Sequence, residues 1–372
     1  MIVREISTDN RQHVRLFLGL PFRLYRGVPQ WVPPLAGDAR RMLERRRHPF
    51  YRHSDAAFFL AWAGERPVGR LAVLDNAHYN AHNGEHTAFF SLFECADDPA
   101  AARGLFDAAF AWARSRGLDR MVGPKGLTAL DGMGLLVQGF AHRPALGIPY
   151  NPDYYPALVE AAGFTPLEDV VSGYLGAETV FPARIHEVAE RVAARRGLRV
   201  ARFRRRRELL ALVPHLQGLY NAAIEGTSGN APLTAEEARA MAQQILWFAD
   251  PRLIKIVYKG AEPIGFLFAY PDISAALQRT RGRLWPWGWV SVLREFRRTE
   301  WININGAGIL PQHRGLGATA VLFSEIHRSI VESGCRHVEI VQVGLGNERM
   351  QRELRDLGVD FCKTHRVYER RL

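Results

Sequence analysis

The feature that most constrains this chain is an internal repeat. The stretch Gly64-Glu65-Arg66-Pro67-Val68-Gly69 returns as Gly260-Ala261-Glu262-Pro263-Ile264-Gly265. Each copy lies between two apolar runs, Ala57 to Ala63 and Arg70 to Leu74 in the first, Leu253 to Tyr258 and Phe266 to Tyr270 in the second. Strand, glycine-containing turn and strand is the pattern of a hairpin. Asn151 and Asn347 are as far apart as Gly64 and Gly260, and each precedes an amphipathic helix closed by a glycine, Gly163 or Gly358. A terminal strand follows each, with Tyr174 in one and Tyr368 in the other. Between these anchors each copy carries a long helix, Pro99 to Arg116 and Leu316 to Ser333, stopped by Gly117 and Gly334 at the position where helices turn left-handed.

A repeat of this length implies two domains, which 372 residues accommodate. They are expected at 1–177 and 178–372, with a linker near Gly176 to Pro182. Each copy reads β–α–α–β–β–β–α–β–α–β, an α/β (α+β) fold with helices covering a mixed sheet. The copies differ by insertions: glycine-rich Gly123 to Pro144 in the first, and Asp272 to Thr299 in the second. The second insertion contains Leu284-Trp285-Pro286-Trp287-Gly288-Trp289. Large apolar insertions tend to bury themselves, so these tryptophans are expected to cap an interface between the domains rather than to wall a pocket. The Tyr25 to Pro34 stretch with Trp31 carries the same two readings.

Several classes of protein are excluded by what is missing. Met1 to Asn10 has no apolar core of a signal peptide, and no unbroken apolar run is long enough for a membrane span. Cys95, Cys335 and Cys362 lack metal-ligand spacing and fit reduced thiols in a cytoplasmic protein, so no metal is expected. The formal net charge of +11 is carried largely by arginine. Its densest run, Arg202-Phe203-Arg204-Arg205-Arg206-Arg207, is read as a solvated helix start or strand end. With no RNA- or DNA-binding motif beside it, nucleic acid is not expected as a partner.

The sharpest local signal is Ile309-Leu310-Pro311-Gln312-His313-Arg314-Gly315-Leu316-Gly317-Ala318, between the apolar strand Trp301 to Ile309 and the helix that follows. A glycine-rich turn entering a helix lets backbone N–H groups approach a phosphate, where a Cβ would crowd the anion. The helix dipole adds positive potential, and Arg314 adds a charged donor. His313 is expected to face solvent.

Gln312-x-x-Gly315-x-Gly317 resembles the Gln/Arg-x-x-Gly-x-Gly/Ala signature of the GNAT superfamily of N-acetyltransferases. The resemblance covers most of residues 180–372 and extends loosely to 1–175 through the repeat. It implies two tandem GNAT-like acyl-CoA N-acyltransferase folds, and acetyl-CoA or another acyl-CoA as co-substrate. By the same resemblance Ile309 and Leu310 supply main-chain contacts to the acyl–pantetheine arm. Gln312, Arg314, Gly315, Gly317 and Ala318 hold the pyrophosphate, and Asn347 contacts the arm. The first half departs from the signature, reading Phe93-Glu94-Cys95-Ala96-Asp97-Asp98-Pro99 where the loop should lie. Three carboxylates there would repel CoA, and Asp98-Pro99 reads as an N-cap followed by proline at the first helical position. The first domain is therefore expected to be degenerate, without a phosphate loop.

Aminolysis of a thioester needs a neutral amine, a stabilised oxyanion and a protonated leaving thiolate. The acid tyrosine usual in the resembled family is missing, since its positions hold Leu354 and Val159. Tyr368, Glu300 and Asn305 are the substitutes taken forward as catalytic candidates. Asn303, on the same strand, and Glu339 and Gln342, alternating on the next, stand behind them. Tyr154 and Tyr155 are read as packing a helix start. The expected function is acyl-CoA-dependent N-acylation of a small-molecule or peptide amine. A non-catalytic acyl-CoA-binding sensor and a Fem-like aminoacyl transferase using charged tRNA are the rivals.

Overall fold

The computed structural model describes residues 1–128, 131–176, 183–210, 212–224 and 230–372. The expected linker thus lies almost wholly outside the described residues. The chain forms two compact units that are discontinuous in sequence. The first comprises 1–171, 274–294 and 362–372; the second comprises 172–273 and 295–361.

Among the described residues, thirteen strands carry the two units: β1 (Ile2–Glu5), β2 (Asp55–Ala63), β3 (Arg66–Asp75), β4 (Thr87–Cys95), β5 (Arg120–Gly123), β6 (Leu135–Gln138), β7 (Thr165–Gly176), β8 (Leu198–Ala201), β9 (Ile254–Lys259), β10 (Glu262–Pro271), β11 (Trp301–Ile309), β12 (His337–Gly344) and β13 (Asp360–Arg371). In the first unit the order is β1-β2-β3-β4-β5-β13, with β6 also on β13. All pairs are antiparallel except β4 with β5. In the second unit β8, β9, β10 and β11 pair antiparallel in turn, and β11 pairs parallel with β12. Ser172, at the start of the part of β7 that belongs to this unit, accepts the Gln342 N–H on its hydroxyl at 2.9 Å.

The repeat is visible strand by strand. The Gly64 and Gly260 turns join β2 to β3 and β9 to β10, and both glycines take positive φ. Gly69 of β3 lies opposite Cys95 of β4, and Gly265 of β10 lies opposite Ile309 of β11. Both β4 and β11 then slip register by a bulge. The helix Pro99–Ser115 buries Ala101, Ala102, Leu105, Phe106, Ala109, Phe110 and Ala113, spaced to form one apolar stripe against the first sheet. The helix Ala318–Glu332 does the same in the second unit with Val321, Leu322, Ile326 and Ile330.

One expectation is reversed. The tryptophans of the second insertion are not buried: Trp285, Trp287 and Trp289 are 83%, 75% and 46% exposed. Residues 274–294 of the insertion belong to the first unit, where Gln278 donates to the carbonyls of Pro29 and Trp31, and Ala36 N–H donates to Gly282 O at 2.9 Å. Its base is seated and its tip is bare. Trp31 itself stacks on Tyr25 at 4.9 Å between ring centroids. The arginine run behaves as expected, with the Arg204 N–H on the Glu208 carboxylate at the start of the short helix Arg206–Leu210.

Candidate functional site

The second unit opens a cleft in its own sheet. Strand β11 pairs with β12 only over Trp301–Ile304 against His337–Ile340, whereas β11 runs on to Ile309 and β12 to Gly344. Leu310 donates its N–H to Ile264 O at 2.9 Å. Hydrogen-bonded and non-bonded pairs alternate along an antiparallel ladder, so Ala307 and Ile309 turn their N–H groups away from β10, toward the edge that β12 has left. Leu310 therefore drops out as an amide donor for a ligand, and Ile309 remains.

The open edge ends in a turn built for close approach. Pro311–His313 forms one 3₁₀ turn, then Gly315 at φ 79° and Gly317 at φ 81° lead into the helix Ala318–Glu332. A Cβ on Gly317 would meet Val192 Cγ1 at 2.8 Å, so glycine is required there by contact as well as by φ. Among the described residues no side chain caps this helix start, which leaves the first-turn amides of Ala318, Thr319 and Ala320 suited to an external acceptor. Gln312 and Arg314 are exposed beside them. Arg314 braces the turn, donating to the carbonyls of Ile309 at 3.2 Å and Ala223 at 2.9 Å. Asn347 caps its own helix, Glu348–Asp356, by accepting the Met350 N–H on Oδ1 at 3.2 Å. The sequence reading missed Arg349, whose guanidinium lies 3.8 Å from where a Cβ on Gly315 would sit. Its position in the first turn of the Asn347-led helix was the available signal.

His313 does not face solvent. It is 9% exposed, with Nε2 at 3.6 Å from Glu262, and Nδ1 has no partner among the described residues.

The three catalytic candidates separate. Asn305 sits at the β11 bulge and donates from Nδ2 to the Tyr270 hydroxyl at 3.2 Å. Glu300 precedes β11, 3.8 Å from Arg336, at the opposite end of the strand from Ile309. At about 3.3 Å per residue the two ends are roughly 25 Å apart. Tyr368 is fully buried in the core of the first unit, its hydroxyl 3.2 Å from Glu160. A residue no motif marks, Tyr270, occupies the vertex of the cleft instead. It lies opposite Asn303, which lies opposite Glu339, so the three form one buried row across β10, β11 and β12. Burial chiefly drives the Tyr270 phenol well above its usual pKa, aided by Asp272 and Glu339 and opposed by the Asn305 hydrogen bond. It therefore keeps its proton at neutral pH, where its hydroxyl can donate a hydrogen bond.

The same place in the first unit is occupied. Ala96 donates to Val68 O at 2.8 Å, the counterpart of the Leu310–Ile264 bond, so Cys95 N–H points to the open edge of β4. That N–H is taken by the Tyr155 hydroxyl at 2.9 Å, which in turn lies 2.9 Å from Glu94. Glu94 does not face a phosphate position as expected. It is held by the Tyr25 hydroxyl at 2.6 Å and by Arg70 at 3.5 Å, and burial raises its pKa against the pull of Arg70. Asp98 caps the Pro99–Ser115 helix, accepting from Ala100 and Ala101.

No family model matches the chain. A bacterial ceramide synthase from Caulobacter vibrioides is 29% identical, covering 99% of this chain and 97% of that protein. Protein YghO from Escherichia coli is 25% identical over 98% of this chain and 94% of its own length. Among solved structures, a tandem GNAT protein from the clavulanic acid biosynthesis pathway superposes at a TM-score of 0.55 with 12% identity, covering 100% of this chain and 98% of that one. Strand order, paired bulges and the glycine turn into the Ala318 helix agree with that likeness: the chain has the tandem GNAT fold.

Proposed function

We propose that this chain is an acyl-CoA-dependent N-acyltransferase whose acceptor is a long-chain amino alcohol, the chemistry by which a ceramide is made from a sphingoid base. The observation that carries the reading is the open edge of β11 running into an uncapped, glycine-started helix. The acceptor class rests on the full-length similarity to the Caulobacter ceramide synthase.

In this reading the pyrophosphate of the acyl-CoA sits on the amides of Ala318, Thr319 and Ala320, with Gly315 and Gly317 allowing its approach. Gln312, Arg314 and Arg349 ring it with donors, two of them charged, and Asn347 lies beside the arm. The arm then runs back along the open edge, meeting the N–H groups of Ile309 and Ala307. This direction brings the thioester toward the bulge at Asn305 and the row Tyr270, Asn303 and Glu339. The neutral amine attacks the thioester carbonyl, a C–N bond forms, and the C–S bond breaks. The proton lost by the amine passes to the Glu339 carboxylate, and the Tyr270 phenol protonates the departing thiolate. Asn305 orients that phenol. Glu300 and Tyr368, placed elsewhere, take no part.

The test is calorimetric titration with acetyl-CoA and a long-chain acyl-CoA, paired with mass spectrometry of the product formed with a sphingoid base. One binding site and an N-acyl product are expected. Gly315→Asp, which places a carboxylate against the phosphates, should weaken binding by at least about a hundredfold. An unmodified chain that binds no acyl-CoA sinks the reading. Binding without amide formation would return the chain to the sensor alternative.

A further inference from the structure

We infer that the bare tryptophan tip of the second insertion is a surface that docks this protein on an anionic lipid bilayer. The tip is presented rather than loose. Its foundation is the short helix Ser274–Thr280 and the turn after it, where Ala276 and Leu277 are buried and Gln278 is bonded to Pro29 and Trp31. Arg281 lies over the Phe22 ring at 5.2 Å, and the Trp289 N–H donates to Leu284 O at 2.9 Å. The helix Gly288–Phe296 then divides cleanly. Val292 is buried, while Trp289, Val290 and Leu293 are exposed, as are Trp285 and Trp287 in the turn that leads into the helix.

Three indoles, a valine and a leucine make an apolar patch on the order of a few hundred Å², the size at which an exposed surface calls for a partner. The charge of the same segment specifies which partner. Residues 274–294, the part of the insertion in the first unit, carry four arginines (Arg279, Arg281, Arg283 and Arg294) and no acid. All four are exposed. A protein partner for an indole patch would be met by a shaped groove of mixed polarity. Exposed tryptophan and arginine in one acid-free segment instead match the bilayer interface, where an indole sits at headgroup depth with its N–H toward water and guanidinium groups meet lipid phosphates. No helix among the described residues is long and apolar enough to span a membrane, so the contact is one of lying on the surface.

The inference stands apart from the proposed reaction, and vesicle flotation of the full chain without any substrate tests it alone. The chain should float with vesicles of phosphatidylcholine and phosphatidylglycerol at least about tenfold better than with phosphatidylcholine alone, and raised salt should weaken it. The double variant Trp285→Ser/Trp287→Ser should lose at least about tenfold in binding with an unchanged circular dichroism spectrum. Arg283→Glu/Arg294→Glu should abolish the preference for the anionic vesicles. Gly315→Asp, altered at the loop, should float like the unmodified chain. Failure of the intact chain to float, or equal flotation by the tryptophan variant, overturns the inference. So does a dimer seen by light scattering that the tryptophan variant dissolves, because the patch would then belong to a second copy of this chain.

Discussion

The two units carry the same strand end and use it in opposite ways. In both, a bulged central strand parts from its parallel neighbour and turns amides toward the gap, that of Cys95 in one and those of Ala307 and Ile309 in the other. At Cys95 that amide is satisfied internally by Tyr155, the gap holds Glu94, Arg70 and Tyr25, and the following helix is capped by Asp98. At Ile309 the edge is open and the helix starts on an uncapped Gly317. A geometry left open among the described residues in one unit has become a self-contained core in the other. The difference comes down to a few side chains, because the backbone is shared and its polar groups must be satisfied one way or another.

Three variants of the first unit would break or sharpen this contrast. The largest effect is expected for Glu94→Ala, which removes the only carboxylate paired with the buried Arg70 guanidinium among the described residues and shared by the Tyr25 and Tyr155 hydroxyls. It should cost about 3–5 kcal/mol in chemical denaturation while acyl-CoA affinity stays as it was. A loss of affinity with little loss of stability would mean that the first unit, too, holds ligand. Tyr155→Phe leaves the Cys95 amide buried and unpaired, and about 1–3 kcal/mol of stability should go with it. Asp98→Ala removes only a cap and should lower stability by about 1 kcal/mol. Titration of that last variant should still show one acyl-CoA site; a second site would mean the cap alone had closed the first unit.

Much of this was legible in the sequence for local reasons. The Gln312–Gly317 turn, the Asp98 cap and the two hairpin turns each depend on residues within a few positions of one another, where glycine and capping preferences are strong. Tyr155 reaching Cys95 across sixty positions, and Tyr270 meeting Asn305, depend on register and bulges that no periodicity reports. Leu310 was misjudged for a related reason: which amides face an open edge alternates with ladder pairing, and the pairing partner Ile264 is known only from the sheet. The tryptophans were misread because the tendency of apolar insertions to bury themselves fails where a surface has a partner of its own. His313 was placed in solvent by its neighbours in sequence, yet the turn folds it inward toward Glu262.

The sheet of the first unit closes with β13, whose residues Tyr368 to Arg371 pair with β5, and Leu372 donates its N–H to Asp119 O at 2.8 Å. This strand lies beyond the whole second repeat in the chain, so the first unit is completed only after that repeat has been synthesised, and the two repeats cannot be separated by one cut without removing a strand from the first.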